Sequence, residues 1–386
     1  MVNLISGTYS APDQERVVFG KPFEQAVTSE LARIGIKRAV LFSTPPLVGP
    51  GGLVDRLRDA LGSNCCAVYG DCEAHTPLES VLAAVHIVKR ERADLIVAIG
   101  GSSVIDTAKI AQLFIWEQID TQGGYDDLTT RDLSAGHDES VPIRLLAVPT
   151  TFSGSEFTVF GSVWDRRSGK RLFQHPRLVP RITVLDPGVL VGTPPTLLLS
   201  TGFKAIDHAI ETLCSPIATP ISDASAIRAF TLLHGALRSI KRDPSNLVAL
   251  LNGQFGVWLS LMGLSSGVPY GASHALGYVL GSEYDVPHGY TSCLTLPAVT
   301  RWNFPACGPK QQAAVEALGM GSRSLGSLLD DLLDELELPT KLGQFGITRD
   351  DLPAIAEKAF RHGFMNTNSR SVQSPEDVVA MLEHNL

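Results

Sequence analysis

The sequence predicts an α/β N-terminal domain built on a parallel sheet, followed by an all-α C-terminal domain. Three observations carry this. Short apolar runs alternate with helix-period segments through the first half, and repeated βα units imply a parallel sheet with helices on both faces. After Thr183-Val184-Leu185-Asp186-Pro187 the strand signals fade and helical patterns follow. A length of 386 residues is enough for two cores. The expected domains are therefore residues 1–186 and 187–386.

The elements follow in order. Residues 38–42 (RAVLF) read as a strand, 51–61 as a helix, 66–69 as a strand, and 77–90 as a helix with apolar residues at helical spacing. Residues 94–99 (DLIVAI) form a buried strand, followed by Gly100-Gly101 and a helix over about 104–116. The polar stretch 121–140 is expected to be a long surface loop, and 144–148 (RLLAV) another buried strand. Helices are expected over 205–214, 222–241, 247–262, 274–280, 311–318, 325–336 and 374–383.

Composition narrows the function classes. With 44% hydrophobic and 19% charged residues the chain is ordinary globular material. Its net charge of -8 argues against nucleic acid or an anionic membrane surface as partner. The longest apolar runs, such as 95–99, fall short of the roughly 18 residues that span a bilayer, and Met1-Val2-Asn3-Leu4 does not open a signal peptide. A cytoplasmic protein acting on a small molecule is expected. The six cysteines show no repeated CxxC spacing, so reduced thiols are expected rather than a disulfide framework.

Parallel sheets bind ligands beyond the carboxyl ends of their strands, where helix N-termini point N–H groups at anions. Gly100, Gly101, Ser102 and Ser103 lie at such a strand end, with Asp106 and Lys109 on the next turn. Two glycines allow close approach to a phosphate and the serines add hydroxyl donors; a plain βα turn with serine caps is the alternative. A second hydroxyl-rich loop, with Thr150, Thr151, Ser153 and Ser155, follows the next buried strand, which favours a nucleotide. No GxGxxG is present, so a nicotinamide dinucleotide would be held in another way.

Lys204 and His208 are four apart in a helical pattern and share a face. A second cluster is Ser273-His274-Ala275-Leu276-Gly277-Tyr278, and His288 follows in Pro287-His288-Gly289. Three histidines on two segments are metal candidates, although each alone would more often be a hydrogen-bonded core or surface residue.

Taken together, these motifs resemble the iron-containing (group III) alcohol dehydrogenase family, and more closely its maleylacetate reductase branch. The resemblance spans nearly the whole chain: 16–20 (RVVFG), 100–109 (GGSSVIDTAK), 150–156 (TTFSGSE), Asp186-Pro187, 205–211 (AIDHAIE), Pro287-His288-Gly289 and 366–370 (NTNSR). It implies a Rossmann-like, dehydroquinate synthase-like dinucleotide domain, a helical domain, an active site in the cleft, NAD(P)H as cofactor and a homodimer. It also implies that His208, His274 and His288 occupy metal-ligand positions, while the usual ligand Asp falls on Lys204. Tyr278 falls where many relatives have a histidine near the nicotinamide. Thr44 falls where NAD-preferring relatives often carry an Asp, and a missing carboxylate leaves NADPH at least as acceptable as NADH.

Lysine at this position changes the chemistry. An ammonium about 4 Å from a dication is repelled by roughly 8 kcal/mol at an effective dielectric near 20. Holding the amine neutral at pH 7 costs about 4 to 5 kcal/mol. Metal is therefore expected to be absent; if one is bound, His208, His274 and His288 would hold it. The alternative for Lys204 is a solvent-facing side chain or one paired with Asp207 or Glu211. The favoured reading is a metal-independent NAD(P)H reductase acting on a keto, enone or aldehyde carbon, with Lys204 stabilising the oxyanion and His208, His274, His288 or Tyr278 supplying the proton. The alternatives are a metal-dependent alcohol dehydrogenase, a non-redox lyase, isomerase or cyclase using Lys204, and a non-catalytic binding protein.

Overall fold

Two apolar runs, 39–42 and 95–100, form adjacent parallel strands, and the sheet grows outward from them. The structure, a computed structural model, describes residues 11–128 and 143–386. The strands are β1 (Arg16–Phe19), β2 (Ala39–Phe42), β3 (Cys65–Tyr69), β4 (Leu95–Gly100), β5 (Arg144–Pro149), β6 (Phe160–Asp165), β7 (Gly169–Gln174) and β8 (Ile182–Leu185). Six of them form one sheet in the order β1-β8-β5-β4-β2-β3, parallel throughout. β6 and β7 form a separate antiparallel hairpin. Every residue of β2, β4 and β5 is buried, as expected for strands covered on both faces.

The helices of this half are α1 (Phe23–Ile34), α2 (Leu53–Leu61), α3 (Leu78–Glu91), α4 (Ser102–Trp116) and α5 (Gln122–Leu128). Asp186, at the end of β8, binds the backbone N–H of Phe23 at 2.8 Å and of Gly188 at 2.8 Å, so the Asp-Pro motif caps α1 and fixes its own turn. The stretch expected to be a loop over 121–140 contains α5, which buries Tyr125 and Leu128; residues 129–142 lie outside the described part. β1, α1 and the β6–β7 hairpin are additions to the sequence reading. β1 and the hairpin are short and partly exposed, whereas α1 does carry a helical period in Phe23, Ala26, Val27 and Leu31 that the sequence reading did not use.

The second half is helical: α6 (Pro195–Cys214), α7 (Pro220–Arg242), α8 (Leu247–Ser265), α9 (Ala272–Glu283), α10 (His288–Ala317), α11 (Leu325–Leu336), α12 (Leu352–Phe360) and α13 (Pro375–Leu382). Two compact units result, Ala11–Gly192 and Thr193–Leu386, the boundary falling shortly after Pro187. α10 is far longer than the helix expected over 311–318. Pro297, Pro305 and Pro309 read as breakers in the sequence, but the helix absorbs them with a kink at Cys307 (φ -129°, ψ 21°).

α8 is long and apolar enough to cross a membrane by length and composition, with a mean hydropathy of 1.5, yet half of that window is buried against protein. It packs on α6 and α7. At Gly263 the approach is so close that an added Cβ would lie 2.2 Å from Cγ2 of Thr212. Gly263→Ala should therefore force α6 and α8 apart and cost about 1–3 kcal/mol in urea unfolding; an unchanged midpoint would show that Thr212 can yield.

Candidate active site

α6 places the lysine and histidine pair in the protein interior. Every residue from Gly202 to Cys214 is buried, among them Lys204, Asp207, His208 and Glu211. A helix with four ionisable residues on its faces would ordinarily lie at the surface. Here α7, α8 and α10 surround it, so each charge must find a partner inside.

Lys204 is 7% exposed, and its Nζ donates to Oγ of Ser292 at 3.4 Å. Ser292 Oγ donates in turn to Oδ2 of Asp207 at 2.5 Å, and Ser273 Oγ donates to the same oxygen at 2.9 Å. The lysine thus reaches Asp207 through a serine from α10. Burial raises the Asp207 carboxyl, with His274 opposing.

Glu211 caps α9 from a different helix. Its carboxylate accepts the backbone N–H of Gly271 at 3.1 Å, of Ser273 at 2.8 Å and of His274 at 3.3 Å, which serve as the orphan donors of the first turn. It also binds Nδ1 of His274 at 2.6 Å. With Nδ1–H donated to Glu211, the free lone pair of this imidazole is on Nε2. Burial pushes Glu211 up to about 7, against the pull of the three N–H groups and Lys204. It pushes His274 down to about 3, so the ring is neutral. Asp207, Glu211 and His274 form a buried group with donor atoms within 4.8 Å of one another; both oxygens of Glu211 and Oδ2 of Asp207 accept hydrogen bonds, while Oδ1 of Asp207 is buried without one.

His208 lies in a ring stack, 5.1 Å from Tyr270 and 5.1 Å from His274. Burial drives its pKa well below the ordinary value, and His274, Lys204 and His288 add to the effect. The site therefore brings these four residues within electrostatic range of one another. Nδ1 of His208 and Nε2 of His274 are buried and make no hydrogen bond in the structure. His288 opens α10 and is exposed. Tyr278, one turn beyond His274 on α9, is 38% exposed and stacks on His362 at 4.9 Å.

Several of these residues escaped the sequence reading as site members: Asp207, Glu211, Tyr270, Ser273, Ser292 and His362. Asp207 and Glu211 were considered as lysine partners alone. The available signal was their period on α6, which places 204, 207, 208 and 211 on adjoining turns. Residues 366–370 act at a distance: Asn368 Oδ1 accepts the Ala272 N–H at 3.1 Å, and Asn368 and Asn303 exchange amide bonds at 3.0 and 2.8 Å. That motif holds α9 in place.

The α/β unit carries the two loops expected from the sequence to face a nucleotide. β2 has β3 on one side and β4 on the other, so the strand order reverses there, and the carboxyl ends of β2 and β4 form the topological switch point where such sheets bind ligands. Thr44 follows β2, Gly100 ends β4 and Gly101 is the N-cap of α4. Ser43 Oγ ties the two ends together by donating to the Ile99 carbonyl at 2.8 Å. A Cβ on Gly100 would lie 2.5 Å from Val104, which the packing does not allow, and one on Gly101 would lie 3.1 Å from Thr151, a tight contact. Ser102 and Ser103 open the 15-residue α4, which has no side-chain cap. Thr151 and Ser153 share a hydroxyl bond of 2.9 Å. Asp106 and Ser155 bind each other at 2.5 Å, and Asp106 also accepts from Ser162, so these two shape the loop. Lys109, fully buried, donates to the carbonyls of Ser155, Thr158 and Phe160 and holds the loop from beneath.

Comparison with known proteins agrees with this geometry. The iron-containing alcohol dehydrogenase model matches residues 14–187, and the model of the C-terminal part of the Fe-containing alcohol dehydrogenase family matches 198–386. Maleylacetate reductase of Burkholderia cepacia is 28% identical over 91% of this chain and 90% of its own length. Dehydrogenase ALT3 of Alternaria alternata is 31% identical over 80% of this chain and 88% of its own. The crystal structure of maleylacetate reductase from Agrobacterium tumefaciens superposes with a TM-score of 0.84 at 24% identity, covering 99% of each chain. With a parallel sheet whose switch point carries the glycine turn, and a helical unit whose buried α6 carries the lysine and histidine set, the chain belongs to the iron-containing alcohol dehydrogenase family of oxidoreductases.

Proposed function

We propose that the protein is a metal-independent, NAD(P)H-dependent reductase of the maleylacetate reductase kind, acting on a keto, enone or aldehyde group of a small molecule. The observation that carries this reading is the buried Lys204, hydrogen-bonded to Ser292 and through it linked to Asp207. The maleylacetate reductases among its relatives support the reaction class.

The charge of Lys204 speaks against a divalent metal. Nδ1 of His208, Nε2 of His274 and Oδ1 of Asp207 are buried without hydrogen-bond partners. Lys204 stands on the turn before His208 and acts electrostatically on both rings. A fixed cation among neutral imidazoles repels a second cation by several kcal/mol, and no step is assigned to a metal here.

The nucleotide loops fit a dinucleotide: the open N-terminus of α4 offers backbone N–H groups and the serine hydroxyls of Ser102 and Ser103, while Thr44, Thr150, Thr151 and Ser153 add polar contacts. A nicotinamide, when bound, supplies the hydride. Lys204 then stabilises the negative charge on the carbonyl oxygen, Ser292 holds the ammonium in place, and Glu211 keeps His274 in the tautomer that leaves Nε2 available. Tyr278 and His288, both exposed, are placed to exchange a proton with solvent.

The test is a panel of keto, enone and aldehyde acids with NADH and NADPH, followed at 340 nm, with elemental analysis of the same sample. Turnover that survives chelation in a metal-free sample is the expected result. Stoichiometric iron or zinc whose removal abolishes turnover would replace this reading with a metal-dependent dehydrogenase. A covalent adduct at Lys204 trapped by borohydride, without change at 340 nm, would move the reaction outside redox chemistry.

A further inference from the structure

We propose that Cys214 and Cys307 form an oxidation site at which a hydroperoxide generates an intrachain disulfide. All six cysteines are free thiols, but these two, 93 residues apart, lie in contact. Cys214 is the last residue of α6, and Cys307 sits at the kink of α10. Their sulfurs are hydrogen-bonded at 2.8 Å. A disulfide at about 2.05 Å asks for a further approach of about 0.8 Å. The end of α6 and the non-helical backbone at Cys307 are the places along these helices where that movement is easiest. Both sulfurs are otherwise enclosed, each residue being 5% exposed.

The surroundings distinguish the two thiols. Nε2 of Gln311 donates to the Cys307 sulfur at 3.3 Å. The Cys214 thiol, with help from Ser369 and Gln311 and from the charge of Lys310, brings Cys307 down to about 6. Cys214 moves in the opposite direction, because its neighbour takes the negative charge and burial adds to it. The Gln311 amide, donating to the Cys307 sulfur, favours negative charge there, and Cys307 is taken as the attacking thiolate. A cavity of about 10 Å³, the size of a single water, borders Cys214 and is lined also by Glu211, Ser215, Asn303, Asn368 and Ser369, so the oxidant has to enter through movement of the α6 end or the α10 kink.

The chemistry balances. The Cys307 thiolate attacks one peroxide oxygen, the O–O bond breaks, and the other oxygen leaves as an alcohol, or as water from hydrogen peroxide, once protonated. The Cys214 thiol attacks the resulting sulfenic sulfur, the S–S bond forms, and the hydroxyl departs with the thiol proton as water. Two thiols lose two electrons, and one hydroperoxide gains them. Glu211 lies three residues before Cys214 on α6 and lines the same cavity. The crosslink therefore ties down the end of the helix whose Glu211 holds the first turn of α9. The site is independent of the reductase reading, since the crosslink is observed without any substrate.

The test treats the full chain with equimolar hydrogen peroxide, blocks remaining thiols with N-ethylmaleimide in denaturant, and maps peptides without reduction. The expected result is a peptide pair joined through Cys214 and Cys307, with two of the six thiols lost and both restored by dithiothreitol. Six alkylated thiols, oxidation at Cys65 or Cys66 in their place, or sulfinic acid at Cys307 beside an alkylated Cys214 would each overturn the proposal. Cys214→Ala should leave a dimedone-reactive Cys307, whereas Cys307→Ala should leave Cys214 unlabelled; the reverse pattern would overturn the assignment of the attacking thiol. If either variant fails to fold, the mapping of the unsubstituted chain decides alone.

Discussion

Lys204→Met is expected to lower kcat by about 10²- to 10³-fold, the effect of removing one preorganised donor from a developing oxyanion, while leaving KM for the nicotinamide nearly unchanged. Methionine keeps the length and apolar stem of lysine in a helix that is buried from Gly202 to Cys214, so the loss is one of charge and not of packing. Asp207 would keep the hydroxyls of Ser273 and Ser292. Steady-state rates at 340 nm read the outcome, and an unchanged kcat would place Lys204 outside the chemistry. Lys204→Asp supplies the complementary experiment. It exchanges a cation for a carboxylate beside two imidazole nitrogens that lack hydrogen bonds, so the affinity for zinc or iron should rise while native turnover falls. Metal titration followed by calorimetry needs no activity and reads the first of these directly.

Glu211→Ala is expected to be the most destabilising single change in the helical unit. It removes the acceptor of three backbone N–H groups at the start of α9 as well as the partner of the His274 imidazole. Each orphaned buried donor costs about 1–3 kcal/mol, and the sum, though not strictly additive, is comparable with the whole stability of a domain. Urea unfolding should show a loss of several kcal/mol; a loss under about 1 kcal/mol would mean that water enters and satisfies the donors. Glu211→Gln is a milder test of the same cap. With its amide oxygen in the place of Oε2, glutamine still accepts from the Gly271 N–H, the His274 N–H and the His274 Nδ1–H, while its amide nitrogen meets the Ser273 N–H, which loses its acceptor. The expected loss in urea unfolding is that of one buried donor, about 1–3 kcal/mol. Nitrogen-15 shifts of the His274 ring should show the tautomer unchanged.

The architecture was legible in the sequence because its strands are buried on both faces, so that β2, β4 and β5 appear as uninterrupted apolar runs. The glycine turn after β4 was legible for the same reason. α10 was not, since three prolines and a kink at Cys307 break the pattern that a continuous helix would leave. At the site, the spacing of Lys204 and His208 identified the helix face, and the family resemblance identified the histidines. What spacing could not give was depth. α6 carries charges on successive turns, a pattern that ordinarily means solvent, and the packing of α7, α8 and α10 turns it into an interior. The partners that make such an interior tolerable come from elsewhere in the chain: Ser292 from α10, Ser273 and the backbone of α9. Asp106 and Ser155 illustrate the opposite limit, since two polar residues in promising loops chiefly bind each other.

The reciprocal amide pair of Asn303 and Asn368 bears on synthesis as well as on the finished molecule. The backbone N–H of Ala272, at the start of the helix that carries His274, relies on an acceptor almost a hundred residues further along the chain. During translation α6 through α10 can gather before that acceptor exists, but α9 cannot be fully tied down until residue 368 has left the ribosome. The histidine site is therefore completed late, so the nascent chain spends most of its synthesis with the arrangement still open.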